Sequence, residues 1–298
     1  MNTKLLRPFI ESAENLRITN IIIYQNGERI AEHHWDEEIR RNQYSASKSF
    51  TATAVGIAIS EGMFSLEDKV LKYFEQDAPK NPSENLKNLT VRDLLTMSIG
   101  HDRGYLMGGE RPFLSELNWV KYVLNQKIVY VPGETFVYNN AGPYLAGVLI
   151  QKLAKCDLVE YLMPRLFEPL GIIRPTWETD PQGLTFGAGG LMLTVSDMAK
   201  FGQLYLQEGI WNGKQLISKQ WVYEATKKQM DTHWKKDVGE GYGYLFWRGR
   251  HDSFRADGKY GQYSIVLKDK NSVIAVNAEC REQQKILDCI WDKVYDLL

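Results

Sequence analysis

The stretch Tyr44-Ser-Ala-Ser-Lys-Ser-Phe-Thr-Ala-Thr-Ala-Val-Gly-Ile-Ala-Ile59 decides how this chain is read. For about four turns it is small and apolar, and it stops at Glu61-Gly62, where glycine is the usual residue just past a helix end. It predicts a central helix buried on all sides. Lys48 is then out of place, because a lysine at the head of such a helix must be paired or open onto a cleft. If Ser45 begins the helix, Lys48 lies three residues on, and the two side chains share one face within hydrogen-bond reach. A serine hydroxyl is a poor nucleophile until a base takes its proton, and a lysine is that base only if burial and neighbouring positive charge or dipole lower its pKa. The helix start also aims unpaired backbone N–H groups at the site, which can stabilise an oxyanion. Ser45 thus reads as a nucleophile whose own N–H is half of an oxyanion hole. The competing reading is a capping serine followed by a solvated lysine, because about one chance Ser-x-x-Lys is expected in a chain of this length.

The flanks of this helix set the fold class. Ile18 to Tyr24 is rich in β-branched residues, and Asn26-Gly27 supplies the two left-handed positions of a type I′ turn, so Glu28 to Trp35 returns antiparallel and the chain opens with a hairpin. Near the other end, Tyr242 to Trp247, Ser253 to Asp257, Gln262 to Lys268 and Ser272 to Glu279 read as short strands, with a turn at Asp269-Lys270-Asn271. Arg281 to Leu298 has helical spacing and should cover one face of that sheet. Between the ends, Val91 to Met97, Ser115 to Asn125, Pro143 to Ala154, Leu158 to Phe167 and Val195 to Glu208 carry apolar residues three and four apart. The expectation is an α+β fold: an antiparallel sheet built from both chain ends, flanked by helices, with an inserted, mainly helical lobe. We read residues 1–298 as one unit, with a sheet lobe at about 1–65 and 235–298 and a helical lobe at about 66–234. A cleft between the lobes is the natural site.

Two further segments offer chemistry. Tyr138-Asn139-Asn140, at a predicted helix start, can bring a phenol and a carboxamide to one small volume: the phenol relays a proton when cations lower its pKa, and the amide orients a substrate carbonyl. The alternative is a packing aromatic followed by an asparagine cap, and a second Tyr-x-Asn at Tyr24-Gln25-Asn26 shows how cheap the pattern is. Ala256-Asp-Gly-Lys-Tyr-Gly-Gln262 enters a predicted strand, where glycines let a substrate approach the backbone and an edge N–H could complete the oxyanion hole; a plain turn or bulge is the alternative.

Composition excludes several classes. Lys and Arg number 36 against 37 Asp and Glu, so no general field draws nucleic acid or an anionic membrane, and a small molecule or short peptide is the expected partner. Met1 to Ile10 has no apolar run of signal-peptide length, and no stretch is long enough to span a bilayer, so the expected location is cytoplasmic. Cys156, Cys280 and Cys289 form no CxxC pair, and His33, His34, His101, His233 and His251 fall at no metal spacing, so no metal or cofactor is expected. His33 and His101 could still join a distant triad. There is no G-x-S-x-G, H-E-x-x-H, Walker or G-x-G-x-x-G pattern. The oligomeric state is left open.

Taken in order, Ser45-x-x-Lys48, Tyr138-x-Asn140 and Ala256-Asp257-Gly258 resemble the serine β-lactamase and penicillin-binding superfamily, most closely its class C β-lactamase-like branch, which also holds D-alanyl-D-alanine carboxypeptidases and esterases. Val91-Arg-Asp-Leu-Leu-Thr-Met-Ser, Val131-Pro-Gly-Glu, Leu166-Phe-Glu-Pro-Leu-Gly, Gly187-Ala-Gly-Gly-Leu and Val195-Ser-Asp-Met-Ala-Lys-Phe-Gly extend the likeness over nearly the whole chain. The resemblance implies a β-lactamase/transpeptidase-like fold and an acyl-enzyme mechanism without metal or cofactor. It implies that Ser45 attacks a carbonyl, that Lys48 and Tyr138 share base and acid work, and that Asn140 holds the substrate. It further implies that, beside Gly258, the backbone N–H of Lys259 joins that of Ser45 at the oxyanion. The family's third motif usually has Lys-Thr-Gly or His-x-Gly. Here Ala256 replaces the cation or imidazole, which weakens the case for penicillins or peptide C-termini and makes esters or other amides at least as plausible. Lys259 or Arg255 are the candidates to substitute.

Overall fold

The computed structural model describes residues 3–298; Met1 and Asn2 lie outside it. One antiparallel six-stranded sheet takes strands from both ends of the chain: β1 (Ile18–Gln25), β2 (Glu28–His34), β3 (Trp247–Arg248), β4 (Phe254–Gly258), β5 (Gln262–Leu267) and β6 (Ser272–Ala278), in the order β2-β1-β6-β5-β4-β3. Asn26 and Gly27 have φ of 53° and 83°, and Gln25 pairs with Glu28, as a two-residue hairpin demands. Apart from the edge strand β2, the strands are buried on both faces, and their period-two alternation divides the sheet between two cores. Ile21, Ile23, Ile265, Ile274 and Val276 face one core, and Ile22, Val266, Val273 and Ala275 face the other.

The first core is closed by helices at the two termini, α1 (Thr3–Ser12) and a C-terminal helix (Gln284–Lys293), through Leu6, Phe9, Ile286, Leu287 and Ile290. The hairpin is therefore preceded by a helix that the sequence reading did not anticipate. The second core is continuous with the helical middle of the chain. Its centre is α2 (Ser47–Ser60), buried from Ser47 through Ala58. α2 ends with Met63 N–H donating to Ala58 O and Gly62 N–H to Ile59 O, the paired bonds that satisfy carbonyls left over at a helix end. α3 (Ala141–Ala154) packs on α2, and α4 (Val195–Leu206), within the span 66–234, lies directly on the sheet. At Gly202 of α4 an added Cβ would stand 2.5 Å from Ser264 Oγ and 2.5 Å from Val273 Cγ1, so this residue sets how closely helix and sheet approach. Gly202→Ala should lower stability by about 1–3 kcal/mol, read as a reduced urea midpoint; an unchanged midpoint would mean that the layers separate freely.

Three boundaries differ from expectation for local reasons. Tyr242 to Trp247 is not a strand. Gly241 at φ 122° and Leu245 at φ 60° break the extension, Gly243 N–H turns back to Phe246 O, and only Trp247–Arg248 joins the sheet. Its aromatic residues alternate because they pack into the core. Ser115 to Asn125 shortens to Trp119–Leu124, started by Asn118, whose side chain accepts from Lys121 N–H at 2.9 Å. Leu158 to Phe167 becomes a helix over Leu158–Leu162 and a wider turn over Met163–Phe167, where Pro164 removes a backbone donor. Among the described residues no helix is long and apolar enough to cross a membrane.

Candidate active site

Ser45 does not open α2 itself. It lies in a 3-10 turn, Tyr44–Ala46, that runs into the helix at Ser47. Tyr44 takes φ 44°, a conformation that strains a bulky residue by about 1–3 kcal/mol. It is held there by Asn42 Oδ1, which accepts the Tyr44 N–H at 2.7 Å, and by edge-on packing against Tyr260. The turn keeps Ser45 and Lys48 one turn apart: Lys48 Nζ stands 2.9 Å from Ser45 Oγ and donates to Ala188 O at 2.7 Å.

Lys48 is only 1% exposed. Burial first, and then the positive charge of Arg111, hold its amine well below the ordinary lysine value. A neutral amine that gives one N–H to Ala188 O still has a lone pair for the serine proton. Tyr138 lies across the same space, with Lys48 Nζ 5.1 Å from its ring centre and its ring stacked on Trp247 at 5.6 Å. Burial pushes its phenol up, Ser45 opposes this and Asp257 adds to it. The expectation that cations lower this phenol is thus not met: burial raises it, and the opposing influence comes from the Ser45 hydroxyl.

The helix behind Tyr138 is capped by Asn139, whose Oδ1 accepts the Gly142 N–H at 2.9 Å. Asn140 is thereby released from capping. Its Nδ2 donates to Leu106 O at 2.8 Å, and its buried Oδ1 has no partner among the described residues. Across the cleft, β4 ends at Gly258, where a Cβ would stand 2.2 Å from Gln43 O, so the strand end rests against the backbone that leads into the Ser45 turn. The backbone N–H groups of Ser45 and Lys259 have no acceptor among the described residues. Ser45, Asn140, Ala188, Lys259 and Tyr260 line one cleft of about 460 Å³. A larger recess, about 630 Å³, lies elsewhere; it holds no serine, and Arg248, Lys227 and Lys228 there pair with Asp252, Glu224 and Asp231.

The altered third motif can now be placed. Ala256 is buried in the second core, while Arg255, 1% exposed, pairs with Asp257 at 2.9 Å and donates to Arg248 O. Arg255 is fixed inside the protein and does not substitute for the missing cation. Lys259 is exposed at the rim, 4.9 Å over the Tyr260 ring. The residue that sequence reading missed is Arg111, in the loop between two helical patterns, which lines the cleft and pairs with Glu178. Its only sequence signal is a cation following Gly108-Gly109. His101 is buried against Tyr105 with Nδ1 unpartnered among the described residues, and His33 packs on Trp35; neither forms part of a triad with Ser45.

The Beta-lactamase family profile matches residues 19–285, from β1 to the C-terminal helix. The chain belongs to the beta-lactamase family. The same superfamily includes penicillin-binding-protein-like serine hydrolases. Penicillin-binding protein 4* of Bacillus subtilis is 27% identical over 139 residues, 43% of this chain and 28% of that protein. Protein flp of Staphylococcus aureus is 24% identical over 138 residues, 45% of this chain and 27% of that protein. The chain spans about three fifths or less of the length of the curated relatives it matches. Among solved structures, the octameric penicillin-binding protein homologue from Pyrococcus abyssi superposes with a TM-score of 0.78 at 23% identity, covering 100% of this chain and 77% of that one. The penicillin-binding protein from Bacillus halodurans gives 0.74 at 17%, covering 95% and 99%. EstCE1, a hydrolase with promiscuous acyltransferase activity, gives 0.78 at 15%, covering 98% of each. At these identities the likeness is one of fold, and this beta-lactamase-family chain has the expected sheet and helices.

Proposed function

We propose that this chain is a serine hydrolase that cleaves a small ester, amide or D-amino-acid peptide through an acyl-enzyme on Ser45. The observation that carries this reading is the 2.9 Å approach of a buried, neutral-leaning Lys48 amine to Ser45 Oγ. Lys48 takes the hydroxyl proton as Oγ bonds to the substrate carbonyl carbon. The carbonyl oxygen gains its negative charge beside the free N–H groups of Ser45 and Lys259. Collapse of the tetrahedral intermediate breaks the bond to the leaving group, which takes a proton from Tyr138, and the proton on Lys48 restores the phenol. Water then repeats the sequence on the acyl-enzyme, with Asn140 bonding the substrate's own polar groups.

Ala256 takes the family's cation from the sheet wall, which favours esters and amides over β-lactams and D-alanyl-D-alanine termini. The same loss motivates a second reading, a penicillin-binding or peptide-sensing module without turnover. A fluorophosphonate should place one covalent adduct on the Ser45 peptide, seen by mass spectrometry, and none on folded Ser45→Ala. Fast release of a penicillin or a short-chain ester supports the hydrolase, whereas an adduct on Ser45 that persists for hours supports the sensor. A folded protein that takes no probe and cleaves no short-chain ester, D-amino-acid amide or chromogenic cephalosporin would overturn both.

A further inference from the structure

We propose that Arg111 is the anion receptor of the cleft, so that the substrate carries a carboxylate bound on the wall opposite strand β4. The sheet wall has no fixed cation to offer, since Ala256 is apolar, Arg255 is locked on Asp257, and Lys259 is exposed on a flexible stem. Arg111 is held rigidly. Its guanidinium lies 4.2 Å over the Phe186 ring, on the same wall as Asn140. Nη1 is paired with Glu178, but Nε is buried and has no acceptor among the described residues. A guanidinium has five donors and prefers a carboxylate in a two-bond fork, so the pair with Glu178 leaves capacity unused.

Glu178 is the second part of the argument. It also lines the cleft, and its side chain is 41% exposed against 19% for Arg111. The more buried partner of this ion pair is therefore the cation, and the more exposed partner is the anion. A substrate carboxylate arriving from the cleft competes with Glu178 for the same donors, and Glu178 acts as its placeholder. Recognition of this kind selects an acid-bearing ester or amide over a neutral one of equal length.

The test uses two esters matched in size, the p-nitrophenyl monoester of glutaric acid and p-nitrophenyl pentanoate. Wild type should favour the acid by about tenfold or more in kcat/KM, most of it in KM. Arg111→Gln should bring the ratio near one, Arg111→Lys should restore part of it, and Glu178→Gln, which removes the competitor, should raise it above wild type. An Arg111 whose only role is to hold Lys48 neutral would change both esters alike and leave the ratio standing. This arm rests on the hydrolase reading above. A second arm does not: calorimetry on Ser45→Ala with glutaramate against pentanamide should show binding of the acid that Arg111→Gln removes. If no ester turns over but glutaramate binds through Arg111, the hydrolase reading fails and the receptor stands. Equal binding of acid and amide, or acid preference that survives Arg111→Gln, overturns the receptor.

Discussion

Exchange of Ser45 for alanine is expected to lower kcat/KM for an activated ester by about four to six orders of magnitude, with Lys48→Met nearly as severe and the double variant no worse than either. In the proposed mechanism the two side chains act as one unit: without the amine the hydroxyl keeps its proton, and without the hydroxyl the amine has nothing to activate. Single effects that multiplied in the double variant would place Lys48 outside the proton path. Lys48→Met also has a stability signature. The folded lysine is held below 10.5, mainly by burial. Between that lowered value and 10.5 the unfolded chain binds a proton that the folded chain does not, so wild-type stability gains as pH rises through this window. The methionine variant lacks this term. Urea unfolding at about pH 7 and about pH 9.5 should therefore show the wild type gaining on Lys48→Met at the higher pH. A difference independent of pH would mean that the lysine is charged in both states.

Tyr138→Phe should cost about two to four orders of magnitude in kcat while leaving the ring stack on Trp247 in place. In wild type, activity should rise with pH as Lys48 loses its proton, at lower pH than an ordinary lysine allows. Burial holds the Tyr138 phenol above its ordinary value. No descending limb from its ionisation is thus expected below about pH 10, and the profile is a rise to a plateau. Because the two groups share one serine, the midpoint belongs to the pair. A bell centred near neutrality would reverse the acid and base assignments, and a flat profile would remove both.

The sheet was legible because its signals are local. Asn26-Gly27 encodes one turn geometry, and the β-branched runs at Ile18 and Ser272 need no partner to be recognised. Tyr242 to Trp247 misled because alternating aromatics look the same in a strand and in a tight turn whose rings reach into a core. The helix over Thr3–Ser12 escaped because Pro8 inside it reads as a breaker. In the cleft, Ser45 and Lys48 could be paired from spacing alone. Arg111 could not, since it reaches the cleft through a loop whose path depends on tertiary packing. The placement of Arg255 was equally closed to the sequence, because one step along a strand decides whether a side chain meets the cleft or the opposite core.

Strand β1 lies beside β6, with Ile18 against Ala278, so the first hairpin cannot enter its sheet until the last strand has left the ribosome. Pairing across such a span gives a high contact order and slow assembly. The Ser45 turn adjoins Gly258 and shares the cleft with Lys259, both of which are made long after Ser45. A nascent chain that has already made Ser45 and Lys48 thus lacks one side of this cleft until β4 and Lys259 have been made.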